Sequence, residues 1–150
     1  MITSSITITR PANAVAYSVN DVINSSTPTI LTFGGLAGND GIIAKVRVST
    51  NAITTTARLR LHLYELAPAI IADNDPNTIL QANFDAYIGA IDLPNMKTEG
   101  AGSTSAYTMS NDTVAYANLV GARIYGVLQT LDAFTPVSGQ EFKVEITIYD

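Results

Sequence analysis

The sequence predicts an all-β protein: a single antiparallel β-sandwich of about eight strands, arranged like a jelly roll. Three observations lead there. Residues 57–65 read A-R-L-R-L-H-L-Y-E, with Ala57, Leu59, Leu61 and Leu63 on one side and Arg58, Arg60, His62 and Tyr64 on the other. A period of two marks a strand with one buried face, because successive side chains point to opposite sides of a sheet. Short runs of this kind recur at roughly 10- to 15-residue intervals, with no long helical pattern between them to carry a parallel crossover. The polar complement is also hydroxyl-rich: Ser and Thr number 28, whereas charged residues make up only 14% of the chain. Exposed helices draw on Glu, Lys, Gln and Arg, while threonine-heavy surfaces suit sheets and loops.

Each element follows from its local pattern. Ser5 to Thr9 alternates and forms the first strand, ended at Arg10-Pro11, where proline withdraws a ladder donor. A short extended piece surrounds Val15 to Val19, and a turn cluster at Asn24 to Pro28 precedes a strand over Thr29 to Phe33. Gly34 to Gly41 is a tight connection. Ile42 to Ser49 alternates next, with Ile42, Ala44, Val46 and Val48 expected inward and Ile43, Lys45, Arg47 and Ser49 outward. After the 57–65 strand comes a long excursion from Pro68 to Leu80, with a helical turn expected after Pro76. Asp85 to Asp92 reads as a strand and Lys97 to Ser105 as a loop. Thr113 to Tyr116, Arg123 to Leu131 and Glu141 to Tyr149 complete the set. The last strand should turn Phe142, Val144, Ile146 and Ile148 inward, and Lys143, Glu145, Thr147 and Tyr149 outward.

Composition bounds the function. The 150 residues suffice for one domain with one core, and no repeat or linker divides them. With no cysteine there is no disulfide framework, thiolate metal site or cysteine nucleophile. The first residues show no basic and apolar regions of a secretory signal, and no apolar run reaches membrane-spanning length, so no membrane partner is expected. The net charge of −5 and pI near 4.6 argue against nucleic acid, whose phosphates need a basic field.

Catalytic signals are sparse. His62 is the single histidine, expected at the surface, and no G-x-S-x-G elbow surrounds any serine. A zinc site would need further histidine or cysteine ligands. Asp73-Asn74-Asp75-Pro76-Asn77 offers oxygen ligands for a hard cation, but it lacks the glycine and distant glutamate of an EF-hand loop, and such residues are ordinary turn formers. The glycines of 34–41 have no Lys-Ser/Thr pair to cradle phosphate. No metal and no cofactor are therefore assigned.

Charge on the strand faces is the remaining signal. Lys45, Arg47, Arg58, Arg60 and Lys143, five of the eight cations, should project away from the core. If their strands share one sheet they form a basic face on an acidic protein. Such residues either discourage edge pairing or dock an acidic partner.

Arg10-Pro11-Ala12, Ala16-Tyr17 and Asp21-Val22 make up R-P-A-x-x-x-A-Y-x-x-x-D-V, an opening that resembles small tailed-bacteriophage structural proteins. The likeness continues in Arg60 to Tyr64, in Pro68 to Asn74, in Ile124 to Leu128 and in Thr135 to Phe142. This resemblance implies a non-enzymatic virion component, assembled in the host cytoplasm. It is most like a capsid decoration (cement) protein bound outside the major capsid protein as a homo-oligomer, dimer or trimer. Strand addition by residues 1–10 to a neighbour would suit that role. Three other readings stay open: a tail, neck or head-fibre base subunit, a carbohydrate-binding module using outward Tyr64, Tyr149 or Tyr125, and an enzyme built on His62.

Overall fold

The computed structural model describes residues 1–149 and places ten strands in two antiparallel five-stranded sheets. The strands are β1 (Ile2–Thr9), β2 (Val22–Ile23), β3 (Leu31–Phe33), β4 (Gly41–Thr50), β5 (Leu59–Tyr64), β6 (Tyr87–Leu93), β7 (Ala106–Ser110), β8 (Val114–Tyr116), β9 (Ile124–Thr130) and β10 (Glu141–Tyr149). One sheet runs β1-β10-β4-β7, with β8 also on β4; the other runs β2-β9-β5-β6, with β3 also on β9. The short pairs β2/β3 and β7/β8 each fill one position. The chain then has eight positions that pair first with eighth, second with seventh, third with sixth and fourth with fifth. That nested pairing is a jelly roll, the architecture expected from the sequence.

The core lies between the sheets. Phe142, Val144, Ile146 and Ile148 of β10 are wholly buried and share one cluster with Leu59, Leu61 and Leu63 of β5. Truncating any one of these side chains to alanine removes about 2–5 kcal/mol. Packing is close around Gly126. A Cβ on Gly126 of β9 would lie 3.1 Å from Phe33 and 3.3 Å from Leu61.

Four expectations are corrected. The facing of β4 changes part-way: Ile43, not Ile42, is fully buried, and Ile42 is 45% exposed. Opposite this stretch Thr147 pairs with Lys45 while Ile148 pairs with Ile43, so Ala44 is an extra residue. A bulge of this kind reverses the facing of every residue on one side of it. Strand β7 went unread because its pattern is inverted. Ala106, Thr108 and Ser110 face inward, whereas Met109 is exposed. Thr108 satisfies its buried hydroxyl by donating to the carbonyl of Pro94 at 2.6 Å. The helical turn falls at Gln81–Ala86 as a 3-10 helix, so β6 starts later than Asp85. The extended piece at 15–19 reduces to one bridge between Tyr17 and Phe134. Residues 2–9 form β1, which pairs with β10 along its length.

The bulge predicts opposite responses at adjacent isoleucines. Ile43→Ala should lower the unfolding free energy by about 2–5 kcal/mol, and Ile42→Ala should stay within about 0.5 kcal/mol. Urea titration of both variants checks this, and the reverse ranking would exclude the bulge.

Candidate functional site

The residues singled out by sequence fall into three places. The first is a buried polar lock. Arg10 follows β1, where the chain leaves the sheet, and its side chain is fully enclosed. Arg10 Nη2 donates to Asp73 Oδ2 at 3.0 Å, and Arg10 Nε donates to the Tyr17 hydroxyl. That hydroxyl donates in turn to Asp73 Oδ1 at 2.5 Å, and the backbone N–H of Asn24 donates to the same oxygen at 2.9 Å. Arg10 Nη1 reaches the carbonyl of Asn13 at 3.3 Å. Burial and the Asp73 bond push the Tyr17 phenol far above its ordinary range, so it stays a neutral donor. Every polar atom serves another, as a buried network requires.

Asp73 therefore does not serve as a cation ligand: both its oxygens already accept hydrogen bonds, one from a guanidinium. Among the described residues no group of three His, Cys, Asp or Glu side chains could hold a metal ion. The loop 73–77 is a turn, with Asn74 in the left-handed region (φ 66°). It pairs with β2: Val22 N–H donates to Asp75 O at 2.8 Å and Asn74 N–H to Val22 O at 2.9 Å.

The second place is the outer face of the β2-β9-β5-β6 sheet, which this excursion covers. Ile71 and Ile30 pack on Val22, Tyr64 and Val127 in a small cluster separate from the main core. His62 and Tyr64 point away from the sandwich core, as alternation requires, yet they are 5% and 2% exposed. The expected surface histidine is thus a buried one, because the excursion closes over it. His62 Nε2 lies 2.7 Å from Gln129 Oε1 and Nδ1 lies 2.9 Å from the Tyr87 hydroxyl. Gln129 Oε1 also accepts from Asn77 Nδ2 at 2.8 Å, while Gln129 Nε2 donates to Asn20 Oδ1 at 2.8 Å. A glutamine oxygen only accepts, so Nε2 carries a proton; burial favours the neutral ring, whose Nδ1 then accepts from the Tyr87 hydroxyl. Both nitrogens hold the fold, which leaves neither for acid–base work. Nor do the three tyrosines form a sugar platform: Tyr64 is buried, Tyr125 is partly buried against the same cluster, and the exposed Tyr149 belongs to the opposite sheet.

The third place is the cations, and here the single basic face fails. Arg58 and Arg60 sit on the sheet that contains β5; Lys45, Arg47 and Lys143 sit on the opposite sheet. Arg58 forks onto Asp132 (Nη2 to Oδ1, 2.7 Å), and Arg60 forks onto Asp92 (Nη2 to Oδ2, 2.9 Å). Both carboxyls are held below their ordinary range by these arginine hydrogen bonds. On the other sheet Glu145 accepts from Arg47 Nε at 2.8 Å and from Lys143 Nζ at 2.7 Å. Its carboxyl is likewise lowered, most by Lys143 and then by Arg47. Lys45 forms no ion pair among the described residues. Apart from Lys143 with Glu145 two residues on, the sequence could not show these pairings, which join different strands or a strand and a distant loop. Nor did it single out Arg10 or Asp73 for burial; the one available hint was an arginine placed directly before Pro11, where β1 must end.

No protein-family model matches the chain, nor does any curated protein. Two solved viral structures resemble it faintly. A chain of the native Kashmir bee virus virion at acidic pH is 18% identical, with a TM-score of 0.35, over 99% of this chain and 71% of that one. The PRD1 vertex protein P5 is 13% identical, with a TM-score of 0.20, over 86% of this chain and 96% of that one. The jelly roll rests on the strand pairing, not on these likenesses.

Two outcomes follow from the lock and the histidine. Arg10→Ala strands Asp73 in a buried site and should cost about 3–5 kcal/mol in urea unfolding, with Arg10→Lys restoring only part because it lacks the planar fork. Burial pushes the His62 imidazole below its ordinary value, with the Gln129 bond opposing and Arg60 adding to that effect. The unfolded chain therefore takes up a proton near pH 6.5 that the folded protein refuses, and stability falls as pH drops through that value. Asp92, Asp132 and Glu145, all lowered, lose their contributions only at more acidic pH, as each becomes protonated. Melting temperature should decline as pH falls below about 6.5 in the wild type, and His62→Gln should flatten that decline.

Proposed function

We propose that this protein is a non-enzymatic virion structural protein. In this reading it binds the outside of the capsid as a decoration (cement) protein, acts as a homo-oligomer and has the major capsid protein as its partner. The observation that carries the reading is the lock. The segments that resemble tailed-bacteriophage structural proteins lie far apart in sequence, yet Arg10, Tyr17 and Asp73 from two of them bond to one another. Arg10 Nη1 also reaches the carbonyl of Val137, in a third, at 3.5 Å. The resemblance thus concerns one fold-defining device rather than scattered short matches.

The two sheet faces divide the labour. One outer face is half covered by the 65–80 excursion. The other, on β1-β10-β4-β7, is a broad surface of Thr3, Ser5, Thr7 and Ser49 with Lys45, Arg47 and Lys143 among them. We assign capsid docking to this bare face. Its cations set orientation against an acidic capsomer, and Arg58 and Arg60, on the opposite side, play no part in that contact. Stabilisation then follows from linkage: a protein that binds only the intact expanded shell lowers its free energy relative to the ruptured one.

Cryo-electron microscopy of the particle tests the assignment, with this jelly roll expected in density on the outside of the head; density at the tail or neck would favour a subunit there instead. Charge reversal at Lys45, Arg47 and Lys143 together should weaken binding to stripped heads at low salt about tenfold or more. Reversal at Arg58 and Arg60 should leave binding unchanged, and equal loss from both variants would defeat the bare-face assignment.

A further inference from the structure

A β-sandwich leaves four sheet edges, and in this protein three are closed by identifiable devices. The β7 edge is capped by Lys97, which exchanges both backbone hydrogen bonds with Tyr107 at 2.9 and 2.8 Å. The β2/β3 edge is broken into strands of two and three residues, and β2 is paired to the 73–77 turn. The β6 edge carries a register shift opposite Leu63 and Tyr64, and the charged Asp92. Bulges, short strands and charge are the usual protection against edge-to-edge pairing.

The β1 edge has none of them. Its eight residues, I-T-S-S-I-T-I-T, contain no charge, proline or glycine, and the pairing with β10 runs without a shift. Which backbone groups face outward follows from two bonds at its end. Arg10 N–H donates to Gln140 O, toward β10, and Thr9 O accepts from Ser26 N–H, away from it. Backbone groups alternate along an antiparallel strand. The N–H and C=O groups of Thr3, Ser5 and Thr7 therefore point off the sheet, and nothing among the described residues pairs with them.

We infer that this edge pairs with the same edge of a second copy, joining two sheets into one continuous sheet about a twofold axis through Ser5. The sequence of β1 is self-complementary in that register. Thr3 faces Thr7 of the second copy and Ser5 faces its own counterpart, so hydroxyls meet hydroxyls, a favourable cross-strand match. On the inner side Ile2 faces Ile8 and Ser4 faces Ile6. Charge selects the same contact: two copies that each carry −5 can approach most cheaply along an edge without ionised groups. A closed twofold pair consumes the open edge on both copies and leaves nothing to propagate. The contact belongs to the isolated chain and does not depend on what the bare face binds.

The chain has no cysteine, so a cross-linking test is clean. Ser5→Cys places the two sulfur-bearing residues directly opposite at about 5.5 Å between Cα atoms, within disulfide reach. Under mild oxidation it should run as a dimer of twice 15.9 kDa, whereas Thr9→Cys, which has no counterpart opposite itself, should remain a monomer. Sedimentation velocity of the wild type should show the same dimer, and Ser5→Pro should dissociate it. That proline removes only an outward N–H, which β1–β10 pairing does not use. A wild-type monomer, equal cross-linking of both cysteine variants, or a dimeric Ser5→Pro protein would each overturn the inference. Should the proline variant fail to fold, Thr3→Lys/Thr7→Lys sets lysine against lysine across the axis, and a dimer in that variant overturns it equally.

Discussion

One buried ion pair, Arg10 with Asp73, ties together segments that would otherwise be loops. Arg10 stands where β1 leaves its sheet, Tyr17 in the connection that crosses to the other sheet, and Asp73 at the tip of the 65–80 excursion. A guanidinium and a carboxylate removed from water are costly unless every remaining donor and acceptor is matched. Here they are matched by Tyr17, Asn24 and backbone carbonyls. The pair adds specificity more than raw stability: any other placement of the excursion would leave a charge buried without its partner.

From that constraint follows the asymmetry of the molecule. With Asp73 held, residues 74–77 pair against β2 and the excursion lies over β5 and β9, which buries His62, Tyr64 and Gln129. The polar side of one sheet becomes a second small interior, filled by a neutral hydrogen-bonded network. The opposite sheet receives no such cover. Its surface remains open, hydroxyl-rich and lightly charged, and its β1 edge is the one long edge left without protection.

Much of the fold was legible in the chain. The 57–65 alternation and the final strand were read with the correct residues inward, because both lie flat in a sheet with one side against the core. The readings that failed did so for physical reasons. The inner face of β4 could not be assigned through Ala44, since a bulge is a property of the pair of strands and leaves no mark on one of them. Strand β7 hid because threonine and serine fill two of its three inward positions, the Thr108 hydroxyl donating to the Pro94 carbonyl and the Ser110 hydroxyl accepting from the Asp112 N–H. The basic face was inferred from real outward positions, but sheet membership, which placed Arg58 and Arg60 on the opposite side, depends on pairing across many residues.

The sequence by itself determined an antiparallel sandwich, the inward residues of its best strands, and the lack of any sequence motif for catalysis. Periodicity is local, and burying one side of an alternating strand costs the same wherever the strand ends up. Tertiary structure alone decided what covers the outward side. His62 and Tyr64 alternate outward just as Arg58 and Arg60 do, yet the first two are enclosed and the others exposed, because Asp73 finds Arg10 and draws the chain over one half of the strand. Long-range pairing of charges and of sheet edges turned a one-dimensional pattern into one half-covered face and one open one.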